Sequence, residues 1–386
     1  MKSIKWKLTL IPAFLILFGL IELYFIKPSL FYSQLIKVLI FSALVLALYL
    51  ATPFESIINY GSLLYYLSLI LLLVTLFLGK GSVNRWLNLG FIQLQPSELA
   101  KLGLILILAK TLSNEKKPLK ARLLHSGILT AIPFTLTMLQ PDLGTALTYL
   151  FVAFILCWSS GLDPAITKIS LLTPIAMLAS GNSIASLIFY LIIVLILLLS
   201  KDPLYKKLIT ISILITVSLS TPVVWHKLMK PYQRERLTAF LNPIKSKTRE
   251  GWQIYQAKIA LGSGGIFGKG PGKGTQKGLA FLPAAHTDFI FSSIGEEFGL
   301  VGLSIIIIAF YTFLTGMLRL AEIKEGHEKL IVLGIMSYFI FHFLVNIFSN
   351  LSLLPVVGIP LPFLTYGGSH LLVEMLSLTI LGKMEV

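Results

Sequence analysis

The sequence predicts an all-α polytopic integral membrane protein, and three observations carry that reading. Of its 386 residues 56% are hydrophobic and only 13% charged, a more apolar balance than soluble chains of this size carry. Twelve apolar stretches recur along the chain, most of them near the roughly 20 residues that a helix needs to cross the hydrocarbon core. The charged residues gather in short blocks between these stretches. That pattern suits helices whose backbone polar groups are satisfied internally and whose ends reach water.

In order, the expected spans are 8–26, 31–51, 58–79, 97–112, 122–139, 142–159, 165–181, 183–200, 207–225, 289–318, 329–350 and 361–382. The first imitates a signal peptide, with Lys2, Lys5 and Lys7 before an apolar run, but no small-residue cleavage site follows, so it reads as a retained helix. The seventh is short and carries Pro174 at its middle. Lys and Arg in short loops favour the cytoplasm. Lys110, Lys116, Lys117, Lys120 and Arg122, then Lys201, Lys206 and Lys207, then Arg319, Lys324 and Lys329 mark inner loops. Alternation puts both termini in the cytoplasm and one large loop, 226–288, outside.

That loop lies within the one long polar interval, Trp225 to Gly302. Between Lys227 and Lys277 it holds eleven Lys or Arg against two acids, Glu235 and Glu250, and eight glycines fall between Gly262 and Gly278. Loops beyond about 60 residues translocate largely regardless of charge. Positive charge kept outside asks for an anionic partner, or solvates a loop near anionic headgroups; both readings stay open. The net charge of +15 does not point to nucleic acid, because the basic residues form no continuous helix and no nucleic-acid motif. The single Cys157 permits no intrachain disulfide. No internal repeat is evident, so 1–386 reads as one membrane domain.

Three carboxylates stand at outer helix starts: Glu98 in Gln95-Pro96-Ser97-Glu98, Asp142 in Gln140-Pro141-Asp142, and Asp288 after Thr287. Capping explains each alone, since acids suit the positive end of the helix dipole. Their number and depth add a functional reading, because ionisable groups at membrane level are costly and face a cavity or a partner. Lys101, three residues after Glu98, can pair with it on one face or hold an anionic headgroup. Trp86 serves as an interfacial anchor or as a platform for a sugar face. The run Gly262 to Gly270 could present backbone N–H groups to phosphate oxygens, or simply be a flexible loop. It is no nucleotide motif, for no Ser or Thr follows Lys269 or Lys273. His286 either shares proton work with Asp288 or hydrogen-bonds locally. His342, Asn346 and Asn350 share a helix face, as do His370 and Glu374, in the manner of interhelical hydrogen bonding.

Seven motifs in order then resemble the SEDS family of bacterial cell-wall proteins (shape, elongation, division, sporulation), closer to its RodA branch than to FtsW. They are Arg85-Trp86-Leu87 with Gln95 to Lys101, Gln140 to Thr145, Tyr232 to Arg236, Phe240 to Pro243, Gly262 to Gln276, Ala285 to Phe291 and Gly358 to Ser369. The resemblance covers nearly the whole chain. It implies a peptidoglycan glycosyltransferase that polymerises lipid II, an undecaprenyl-diphosphate-linked disaccharide-pentapeptide, on the outer face of the bacterial cytoplasmic membrane during cell elongation.

The family's essential acid matches Asp288, its paired charges Glu98 and Lys101, and its loop tryptophan Trp86. A divalent cation, Mg or Mn, and a class B penicillin-binding protein that crosslinks the strands are implied, with no organic cofactor; the residues name no metal ligand. Ala284 stands where the family commonly has Glu. About forty extra residues between Gly161 and Trp225 suggest a ten-span core plus an added helix pair, 163–200.

The chemistry suits these residues. A carboxylate within reach of the acceptor hydroxyl is a suitable general base, the role expected of Asp288. The lipid diphosphate leaving group needs cations, for which Arg234, Arg236, Lys269 and Lys273 are candidates. Asp142, His286 and Ser369 complete the expected substrate-binding set, with membrane lipids around it. Two rivals remain: a flippase for the same lipid, with Glu98, Lys101 and Asp142 as its pathway, and a noncatalytic scaffold for the crosslinking enzyme.

Overall fold

The computed structural model describes residues 2–78, 85–88, 93–180, 183–200, 202–223, 234, 240, 249–278, 282 and 284–384. Twelve long helices coincide with the twelve expected spans: α1 (Lys2–Ile26), α2 (Pro28–Ala51), α3 (Phe54–Leu78), α4 (Pro96–Leu112), α5 (Leu119–Leu139), α6 (Leu143–Ser159), α7 (Pro164–Ala179), α8 (Ser183–Leu199), α9 (Leu204–Val223), α12 (Ile290–Ile323), α13 (Gly326–Asn350) and α14 (Ser369–Met384). Among the described residues, seven of these are long and apolar enough to cross a membrane unaided: α1, α2, α3, α5, α9, α12 and α13. Between α9 and α12 lie α10 (Arg249–Gly264) and the single turn α11 (Thr275–Gly278). The one sheet among the described residues is a short hairpin pairing β1 (Leu87–Asn88) with β2 (Gln93–Leu94). Pro28 and Pro96 open α2 and α4, where the missing N–H is no loss and the fixed φ helps.

The chain divides into two compact units, Met1–Cys157 with Ala239–Val386, and Trp158–Thr238. In the first, α4 is enclosed almost along its whole length. Small residues let its neighbours come close: a Cβ on Gly103 would meet the Tyr65 backbone, and one on Gly334 would meet the Ile105 side chain. Phe310 of α12 stacks on Phe343 of α13 with ring centroids 4.0 Å apart, and Phe313, Phe339 and Phe363 continue the aromatic core edge-on and stacked.

The second unit has its own core, formed by Ala176, Phe189, Ile193, Leu197 and Leu214. Tyr190 of α8 donates to the Leu214 carbonyl of α9, 2.9 Å. The expected added pair, 163–200, is thus two helices of a three-helix unit, because α9 supplies the third wall of that core. Lys168 pairs with Asp202 and Lys206 with Asp163, joining the ends of α7 and α9 crosswise.

The last expected span is displaced. The helix starts at Ser369 rather than near 361, because Phe363 adopts a φ of 66°, outside the right-handed helical region, and Gly367-Gly368 precede the true start. Residues 351–368 instead form an irregular wall, pinned where Thr365 Oγ1 accepts from the Leu361 N–H at 2.8 Å. The tenth span is longer than expected and is broken at Gly299, whose φ of 63° and ψ of −161° suit glycine. The break frees the Leu300 and Val301 N–H groups to donate to the carbonyls of Gly265 and Ile266.

Candidate active site

A cavity of about 520 Å³ opens in the first unit, between the starts of α4 and α14, the turn before α12 and the wall 358–368. Asp288 lines it from the turn Ala284–Phe289. That turn is tight because the Ala284 carbonyl accepts from both the Thr287 and Phe289 N–H groups, at 3.1 and 3.2 Å. The turn is also anchored from outside. Asn346 and Asn350 of α13 donate through Nδ2 to the Asp288 carbonyl at 3.1 and 2.9 Å, and the Tyr366 N–H donates to the His286 carbonyl at 2.9 Å. The face shared by Asn346 and Asn350 therefore grips the backbone of the acid. Opposite lies Gly358 at a φ of 75°, where a Cβ would approach Asp288 Oδ2 to 4.0 Å.

Glu98 lines the cavity from the first turn of α4, 3% exposed. Its Oε1 accepts from Lys101 Nζ at 2.6 Å, and Lys101, 2% exposed, also lies 3.1 Å from His342 Nε2. A protonated lysine has only donors, so His342 meets it as an acceptor and carries its proton on Nδ1. Lys101 is thus committed within the bundle and does not line the cavity.

Lys37 of α2 is the one Lys or Arg lining the cavity among the described residues. Its Nζ lies 4.0 Å from the centre of the Tyr366 ring. Burial pushes the Tyr366 phenol up, but its hydrogen bonds with Lys37 and Ser33 outweigh that and hold it below its ordinary value. Lys37 escaped sequence reading because it is a single basic residue within an apolar run, indistinguishable there from a snorkelling lysine.

Ser369, at the start of α14, donates to the Gln93 carbonyl and accepts from the Gln95 N–H, both at 2.9 Å, tying the β hairpin to the helix. Trp86 lines the cavity while 42% exposed, the geometry of a rim residue. His286 lines it with its ring edge-on to Tyr366, and burial holds its imidazole below the usual histidine range, so it is neutral at pH 7.

A family model for cell cycle proteins, that of FtsW, RodA and SpoVE, matches residues 20–185 and 164–386. The chain belongs to that family. It is 33% identical over 346 residues to the peptidoglycan glycosyltransferase RodA of Treponema pallidum (strain Nichols), covering 81% of this chain and 80% of that one. To the peptidoglycan glycosyltransferase MrdB of Escherichia coli K12 it is 35% identical over 324 residues, covering 81% and 74%. A chain from a peptidoglycan synthase complex, solved to show how polymerization and crosslinking are coordinated, superposes at a TM-score of 0.74. Its identity is 26%, with 97% of this chain and 96% of that chain covered. The rod shape determining protein RodA of Thermus thermophilus superposes at 0.63 with 25% identity, covering 97% and 94%.

Within this FtsW/RodA/SpoVE member, Asp142 lies away from the cavity lining. Asp142 caps α6: its Oδ1 accepts from the Thr145 N–H at 3.3 Å, and its Oδ2 from Thr145 Oγ1 at 3.0 Å and Gln95 Nε2 at 2.9 Å. Arg85 Nη1 lies 4.0 Å from the same carboxylate. Arg234 belongs to the second unit, and Arg236 lies outside the described residues.

The glycine run departs most from expectation. Within it the Lys269 and Gly270 N–H groups donate to the Glu296 and Glu297 carbonyls at 2.9 and 3.0 Å, and the N–H groups that meet an anion, an internal one, lie just after it. Glu296 and Glu297, both fully buried in the broken part of α12, accept from the N–H groups of Gly272, Gly274, Thr275 and Gln276. Lys269 pairs with Glu296 at 2.6 Å, so its charge is committed there, whereas Lys273 is exposed. The glycines serve close approach, since a Cβ on Gly264 or Gly268 would collide with the α12 backbone at Gly295 or Glu297. A sign of this was present in the sequence: two adjacent acids, Glu296-Glu297, follow Gly295 inside an apolar span.

Proposed function

We propose that this member of the FtsW/RodA/SpoVE family is a peptidoglycan glycosyltransferase that polymerises lipid II, with Asp288 as general base. The observation that carries the reading is the cavity, which brings Asp288, a second carboxylate, one cation and an aromatic rim together at the end of a bundle. Relatives that cover about four fifths of the chain are named for that activity.

The acceptor sugar hydroxyl gives its proton to Asp288 as its oxygen bonds to the donor's anomeric carbon. The bond from that carbon to the undecaprenyl diphosphate breaks, and the diphosphate leaves with the electron pair. Lys37 is the cavity cation placed to meet that charge, and Trp86 offers a face to a sugar ring. Neutral His286 serves as a hydrogen-bonding wall beside the base. Arg234, Arg236 and Lys273, all of the long polar loop, handle the strand or the headgroup.

No cluster of three or more His, Cys, Asp or Glu suited to a metal ion forms among the described residues. The described residues by themselves therefore offer no protein cage. Magnesium typically takes one or two carboxylates together with substrate phosphates, so Mg or Mn would be held chiefly by the substrate diphosphate, where it would offset the leaving group's charge.

The protein is multi-pass, and both termini are placed in the cytoplasm, with the cavity facing outward, by the Lys and Arg blocks of the short loops. A class B penicillin-binding protein is the partner, as the architecture shared with a chain of a peptidoglycan synthase complex suggests. The flippase reading loses support where Asp142 is committed to capping α6 and Lys101 to Glu98.

Purified protein given lipid II, Mg or Mn and its crosslinking partner is expected to form glycan polymer. Asp288→Ala should lower the rate by about 10²- to 10⁴-fold, the usual scale of general-base loss. Movement of lipid between leaflets without polymer formation by the wild type would overturn the reading.

A further inference from the structure

The geometry points to Glu296 and Glu297 as positioning residues for Asp288, acting through the glycine-rich loop as a strap; this rests on the reading of Asp288 as the base. Glu296 Oε1 accepts from the Thr275 N–H and hydroxyl, both at 2.8 Å, from the Gln276 N–H at 3.2 Å and from Lys269 Nζ at 2.6 Å. Glu297 accepts from the N–H groups of Gly272 at 2.9 Å and Gly274 at 3.2 Å. The backbone carbonyls of the same two residues accept from the Lys269 and Gly270 N–H groups at 2.9 and 3.0 Å. An anionic acceptor meeting several N–H donors is a strong, directional clamp. Removing it would leave those donors without their acceptor, the Gly274 N–H in a buried place.

The clamp continues toward the acid. The Gln276 carbonyl accepts from the Leu282 N–H at 3.2 Å, and the Leu282 carbonyl from the Ala285 N–H at 3.1 Å. The next link is the Ala284 carbonyl that closes the turn on Thr287 and Phe289. Ile254 and Ala257 of α10 pack against Leu282, Ala285 and Phe289, so Leu282, the residue that receives the strap's last link, and the turn share one apolar cluster. Asn346 and Asn350 hold the Asp288 carbonyl from the α13 side. The strap holds the approach to the turn from the α10 side. Neither carboxylate lines the cavity, so their action is on placement, where an error of about 1 Å can cost about a hundredfold in rate.

The experiment compares the full-length wild type with Glu296→Gln, the swap Glu296→Lys/Lys269→Glu, and Phe310→Ala, a core-cavity variant that lowers overall stability. Hydrogen exchange of residues 269–276 and 284–289 is measured alongside lipid II polymerisation per folded molecule. For Glu296→Gln the expectation is faster exchange in both segments and a kcat lowered about ten- to a hundredfold, with KM within twofold. Phe310→Ala should leave the exchange of 284–289 at its wild-type rate relative to the rest of the bundle. The swap should stay as impaired as Glu296→Gln, because a lysine cannot accept from the N–H groups.

Recovery in the swap would reduce Glu296 to a simple ion-pair partner and overturn the proposal. So would unchanged exchange at 284–289 in Glu296→Gln. Full activity in Asp288→Asn would instead overturn the base assignment, leaving the exchange result standing.

Discussion

The turn that carries Asp288 and the glycine-rich loop fewer than twenty residues before it are both polar, both glycine-adjacent and both read as substrate surfaces, yet they are built for opposite ends. The turn points its carboxylate into a cavity and has its backbone gripped by two asparagines. The loop turns its donors inward onto Glu296 and Glu297. Abundance of donors and charge therefore says little about availability. What counts is whether a buried partner of opposite sign lies within reach, and a low-dielectric interior rewards such pairing strongly.

The largest test of this contrast is at the buried pair beside the cavity. Glu98→Lys or Lys101→Glu alone leaves a charge uncompensated in the bundle and should destabilise by about 3–5 kcal/mol, seen as a lowered thermal midpoint in detergent. The double reversal should recover most of that stability. Its polymerisation should stay low, because Glu98 also lines the cavity. Full recovery of activity would make Glu98 a structural partner only.

A smaller effect separates the cations. Lys37→Met should lower polymerisation about ten- to a hundredfold, the scale of a lost charge-assisted hydrogen bond. Lys273→Met, on an exposed side chain, should change it by no more than about twofold. The reverse order would return the diphosphate to the glycine loop.

The smallest effect concerns pH. Burial lowers the His286 pKa, so between its folded and unfolded values the unfolded chain binds more protons. Stability of the turn should then fall as pH drops through the usual histidine range, near about 6.5. Exchange at 284–289, corrected for intrinsic rates, should be faster at pH 5.5 than at pH 7.5, and this trend should vanish in His286→Gln.

Much of the fold was legible because hydrophobic length is a one-dimensional signal: each of the twelve apolar runs lies on a helix. The errors fell where backbone chemistry overrides hydropathy. Phe363, with its positive φ, and Gly367-Gly368 hold α14 back to Ser369, and Gly299 breaks α12. The site was legible in part. Asp288, Glu98, Trp86, His286 and Ser369 are brought to one place, and their motifs marked them as polar residues at helix starts and connections.

By itself the sequence determined that this chain inhabits a membrane, along which stretches its helices lie, the start of α14 excepted, and that Asp288 is the acid to test. Only the tertiary structure decided which charges are free to work. Lys37 comes from α2 and Asp288 from the turn before α12, more than 250 residues later, and nothing local to either shows that they line one cavity. Lys269 and the glycine N–H groups look available in sequence because their partners, Glu296 and Glu297, reach them only once α12 is broken and the loop has closed upon it.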